Sequence, residues 1–113
     1  MCVIRGTRGR VWLAAGSQAR GVYGQEQIEG EFLCTYAVNP EKQPLFEQGG
    51  MMFSGRGAEQ EARVVELPAH PFFIATLFLP QMDSWEERPN PLFVEFVRAA
   101  QRVRGLSKPA ATA

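Results

Sequence analysis

The chain has 113 residues, 45% of them hydrophobic, with eight Phe, two Trp and two Tyr, enough for one domain with a packed core. Twelve basic and twelve acidic residues cancel, so no excess of either sign draws the protein to nucleic acid or to an anionic membrane. The longest apolar run, Phe72 to Leu79, is far too short to span a bilayer, and MCVIRGTRGR lacks the apolar stretch of a secretory signal; a cytoplasmic protein is expected.

From the N-terminus, MCVIRG and GRVWLAA predict two short strands around a turn at Gly6 to Gly9. GSQARGVYG offers Ser17 as a cap and room for a short helical turn before Gly24. QIEGEFLCTYAV sets Phe32, Cys34 and Tyr36 on one side and Leu33, Thr35 and Ala37 on the other, the alternation of a strand, with Gly30 as a bulge. In NPEKQPLFEQGG, Asn39 caps a short helix, Pro40 takes its first position and Gly49–Gly50 stop it, while Pro44 splits or distorts it.

Three strands should follow, in MMFSGR, EARVVEL and FFIATLFL, joined by the hairpin loop GAEQ and the tight turn PAHP. DSWEERPNP reads as a loop. The last helix has Asn90 as cap, Pro91 first, and Leu92, Phe93, Phe96, Val97 and Val103 at helical spacing; its arginines decorate the exposed side. Connections this short favour antiparallel pairing, with the final helix covering the sheet. Residues 1–106 are expected to form one domain and 107–113 a disordered tail.

Familiar chemistry finds little support in these residues. GTRG and SGRG do not lead into helices, so they are weak phosphate nests, and no nucleophile elbow is present. Cys2, Cys34 and the single histidine, His70, lack metal-ligand spacing, so no metal and no cofactor is expected. A Cys34–His70 dyad would join unrelated segments; His70 reads better as a polar turn residue. Glu86, Glu87 and Arg88 read as a solvated charge cluster.

The run VVELPAHPFFIATLFLPQMDSWEERPNPLFVEFVRAA resembles the end of the glutamine amidotransferase domain of CTP synthase. FEQGGMMFSGR, YAVNP at Tyr36 to Pro40, and Tyr23–Gly24 are similar to landmarks of that family in its own order. The resemblance implies an α/β class I amidotransferase-like (flavodoxin-like) fold, here partial, with mixed and largely antiparallel strands and a covering C-terminal helix. It also implies an origin in pyrimidine nucleotide metabolism.

On that resemblance, the family's catalytic His falls on Leu79 and its Glu on Gln81, with Pro80 kept between them. Leu79 accepts no proton and Gln81 carries no charge for an imidazolium. The family's basic, glutamine-binding strand is replaced at Glu31, Phe32, Leu33, Cys34 and Thr35, while Tyr36 is retained. The nucleophile-bearing half of the family domain has no counterpart in the sequence. A catalytically inactive binding module is therefore expected, either a homo-oligomer or the partner of a protein supplying the missing half. The apolar Phe32 and Leu33 point to a covered face, their alternative being a repacked core. Two other readings stand beside it: one half of a split amidotransferase, and an altered apolar pocket near Leu79 and Tyr36 for a small neutral metabolite.

Overall fold

The computed structural model describes residues 2–34 and 36–107. Five strands, β1 (Cys2–Leu13), β2 (Gln27–Cys34), β3 (Met52–Arg56), β4 (Ala62–Glu66) and β5 (Ile74–Thr76), form one sheet in the order β2-β1-β3-β4-β5. Each pairing among them is antiparallel. Three helices accompany the sheet: α1 (Gln18–Tyr23), α2 (Gln43–Gln48) and α3 (Pro91–Ser107). Single 3-10 turns occupy Pro40–Lys42 and Pro80–Asp83.

Local chemistry sets the helix ends. The Ser17 hydroxyl accepts from Arg20 N at 3.0 Å, and Gly24 closes α1 in the left-handed region at φ 67°. Asn39 caps the first of two turns, and Pro44 does split the segment, into the 3-10 turn and α2. Asn90 Oδ1 accepts from Leu92 N at 2.9 Å and starts α3 at Pro91. α3 runs through Ser107, the first residue of the expected tail to be described; residues 108–113 lie outside the described residues.

The N-terminal segment departs from the expected hairpin. Gly6 to Gly9 make no turn, because β1 continues through them and pairs along β2, with a register shift between Cys2 and Thr7. Gly30 is no bulge either: it pairs directly with Gly9. Its missing side chain makes room for Phe78, since a Cβ there would stand 2.9 Å from the ring's Cγ. The third expected strand is short, three residues in β5, after which the chain leaves β4 and crosses to β2.

That crossing curls the sheet. Leu79 N donates to Glu31 O at 2.9 Å, and Phe78 enters a core made with Val11, Leu13, Ala19, Ile28 and Val64. Phe32 packs against the same core, so it is repacked interior and not the uncovered surface its apolar character suggested. The covering role of α3 is also narrower than expected. Leu92 and Ala99 are buried, but Phe93, Phe96, Val97 and Val103 are between 42% and 58% exposed.

Candidate functional site

The segment from Leu77 to Asn90 carries the positions singled out in the sequence. Leu79 is half-buried and opens the 3-10 turn, its carbonyl accepting from Met82 N at 3.1 Å; Gln81 faces solvent. The turn is held through its main chain by Asn90, whose Nδ2 donates to Pro80 O at 3.4 Å. The same buried side chain receives the Tyr23 hydroxyl at 3.4 Å, and Asn90 N donates to Ser84 Oγ at 2.9 Å. One asparagine thus ties α1, the turn and the start of α3 together, a role hidden behind its helix-cap signature.

Burial pushes the Tyr23 hydroxyl up from 10.0 to about 12, and the Asp83 carboxylate adds to the rise. Below pH 10 the phenol is neutral in the folded and the unfolded chain. Between pH 10 and about 12 the unfolded chain loses the proton first, so stability falls as pH climbs through that window. Urea midpoints measured across the window should fall less steeply with pH for Tyr23→Phe than for the parent chain. Equal slopes would contradict the assignment.

Among the described residues, the strand positions implied by the resemblance bring no clamp together. Glu31 pairs with Arg8 in the sheet register and is half-buried, and Tyr36 is 63% exposed. Thr35 and the side chains of Leu33 and Cys34 lie outside the described residues. A cation does occupy the area, from the strand expected in EARVVEL, where only apolar packing is read from the sequence. Arg63 of β4 lays its guanidinium 4.4 Å above the Phe32 ring centroid and donates from Nη1 to Tyr36 O and Leu77 O, both at 3.4 Å. Glu61 faces its Nε at 3.9 Å, so the charge is largely answered within the chain. Only its alternation with the buried Ala62 and Val64 in ARVVE hints at this placement.

An apolar cleft of about 130 Å³ opens beside Arg63, lined by Val38, Phe53, Val65, Ala75 and Leu77 among others. Neither Leu79 nor Tyr36 lines it, so it is not the pocket expected at those two residues. Cys34 and His70 are not brought together: the register sets Cys34 opposite Cys2 at one end of the sheet, and His70 sits in the β4–β5 turn at the other. There its Nδ1 accepts from Phe72 N at 3.1 Å, a turn-stabilising contact. Glu86, Glu87 and Arg88 are all exposed, and Arg88 leans on Trp85 with 5.9 Å between its Cζ and the ring centroid.

Among the described residues, no group of three or more His, Cys, Asp or Glu side chains could hold a metal ion, and no helix is long and apolar enough to cross a membrane. No established family profile matches the chain. It is 40% identical over 94 residues to the CTP synthase of Methanothrix thermoacetophila, covering 81% of the chain and 17% of that protein. It is likewise 40% identical over 95 residues to the CTP synthase of Archaeoglobus fulgidus, covering 83% and 18%. The chain therefore spans less than a fifth of the length of these relatives. Its fold matches the solved glutaminase domain of Trypanosoma brucei CTPS with bound acivicin, at a TM-score of 0.80 and 21% identity, over 88% of the chain and 40% of that domain's chain. Sequence and fold agree that the chain is a homologue of part of the CTP synthases, corresponding to part of their glutamine amidotransferase domain.

Proposed function

We propose that the chain is a catalytically silent relative of the glutaminase domain and acts as an interaction module by pairing with a second copy of itself. The exposed apolar stripe of α3 carries this reading. Phe93, Phe96, Val97 and Val103 recur at helical spacing and remain open to solvent, where a solvated helix face is ordinarily polar. Charge supports an antiparallel arrangement: exposed Glu86 and Glu87 precede the helix, while Arg102 and Arg104 stand near its end, Arg98 being paired with Glu95 at 2.7 Å. Two such helices running in opposite directions bring unlike ends together and oppose their dipoles.

Silence follows from the side chains at the positions that the resemblance gives to an acid and its orienting carboxylate. Leu79 and Gln81 move no proton at neutral pH. Native mass spectrometry of the pure chain should give a dimer, and Phe96→Asp, on an exposed position, should give a folded monomer. The same preparations should release no ammonia from glutamine above the rate without protein. A monomeric parent chain would refute the pairing, and glutamine hydrolysis would refute the silence. A heteromeric mass from native cells would replace the second copy by a different polypeptide.

A further inference from the structure

Where β1 meets β3, a cleft of about 210 Å³ is lined by Trp12, Phe53, Ser54, Arg56 and Gln60, with Leu13 and Ala14 completing it. Its polar groups are arranged without an internal counter-charge. Arg56 Nη1 donates to Gln60 O at 3.0 Å and Nη2 to Gln43 Oε1 at 3.2 Å, both neutral acceptors. Among the described residues no carboxylate forms an ion pair with it. The guanidinium is thereby fixed in place with spare N–H donors and its full positive charge.

Two further observations converge on the same cleft. Ser54 is 1% exposed, and its Oγ is buried with no hydrogen-bond partner among the described residues, a costly state for a hydroxyl unless water or a ligand supplies the acceptor. Gln60, whose carbonyl positions Arg56, is the one described non-glycine residue at positive φ, 65°. That conformation belongs to the β3–β4 turn, in which Gln60 N donates to Gly57 O at 3.0 Å. Trp12 and Phe53 supply aromatic walls, with Phe53 lying 6.0 Å from the Arg56 Cζ.

We infer that this cleft binds a small monocarboxylate with a flat apolar body. One uncompensated cation matches one negative charge; a phosphate dianion would call for more. The carboxylate takes the planar guanidinium and the Ser54 hydroxyl, and the body lies between the two aromatics. The volume suits a single ring, since a cavity of about 150 Å³ already holds benzene. The site is remote in composition from the α3 stripe and shares no residue with it, so it stands independently of the pairing proposed above.

The test uses the intact chain, the Trp12 indole N–H resonance, and sodium benzoate as the probe at constant ionic strength. Trp85→Phe, on an exposed residue, assigns that resonance. A saturable shift is expected with benzoate, and about tenfold or greater weakening with benzyl alcohol, which keeps the ring and removes the charge. Arg56→Met should weaken benzoate binding by a similar factor. Ser54→Ala should weaken it several-fold without lowering the urea midpoint, because the hydroxyl has no partner to lose. Absence of saturation, or equal binding of benzoate and benzyl alcohol, would overturn the inference. That comparison needs no variant, so it holds even if Arg56→Met fails to fold.

Discussion

Phe78→Ala should cost about 3–5 kcal/mol of folding stability, the range for emptying a buried aromatic site. Phe78 is 4% exposed and lies just past the end of β5, where the chain crosses from β4 to β2. Its ring fills the space left by Gly30 and meets the cluster formed by Val11, Leu13, Ile28 and Val64. The neighbouring polar contacts, Thr76 Oγ1 to Phe78 O at 2.9 Å and Leu79 N to Glu31 O at 2.9 Å, fix the backbone around the ring. Losing the ring should therefore loosen the curl of the sheet as well as open a cavity. Gly30→Ala makes the complementary test. Alone it forces a Cβ against the ring and should cost about 1–3 kcal/mol. In the Phe78→Ala background that cost should shrink toward zero, and a double-mutant cycle by urea denaturation reads the coupling directly. Additive costs would mean that the two residues do not share the contact.

The second large effect is expected at Glu66, a carboxylate 2% exposed at the end of β4. Its Oε1 accepts from Gln18 N at 2.8 Å and its Oε2 from Ala19 N at 3.2 Å, so both oxygens answer the first amides of α1. Those amides have no partner within the helix, and a negative charge there also complements the helix dipole. Charge-assisted bonds of this kind contribute about 1.5–3 kcal/mol each. Glu66→Ala removes both acceptors and leaves buried N–H groups unmatched, so a loss of about 3 kcal/mol or more is expected. Glu66→Gln keeps one oxygen and should cost roughly half of that. Set against the ~5–15 kcal/mol that holds such domains together, the alanine variant should show a much lower urea midpoint and weak hydrogen-exchange protection in α1. Equal losses for the two variants would remove the acceptor argument.

What the sequence discloses depends on how far apart the interacting residues lie. Ser17, Gly24, Asn39, Asn90 and Pro91 act on amides within a few positions, and each performs the cap or stop read from it. The β3–β4 hairpin is equally local. Glycine is opaque to such local reading where its use is tertiary. Gly30 looks like a bulge by its conformational freedom, but it serves by lacking volume for a ring 48 residues further on. The roles of Glu66 and Arg63 are not legible, because strand alternation describes apolar faces and is silent about buried charge. Their partners, α1 for one and Phe32 with Tyr36 for the other, come from distant segments. The α3 pattern gives the helix itself, while periodicity shows that a stripe exists, not what lies upon it.

The hydrogen bonds at Leu79 and Pro80 all run through main-chain atoms, with Glu31 and Asn90 on the other side. The hydrogen bonds that hold the turn therefore do not call on the side chains at positions 79 and 81. Leu79→His with Gln81→Glu should accordingly leave these main-chain bonds in place, which hydrogen-exchange protection at Leu79 and Met82 checks. In this fold the bonds that hold the turn and the side chains that the turn presents are separable features.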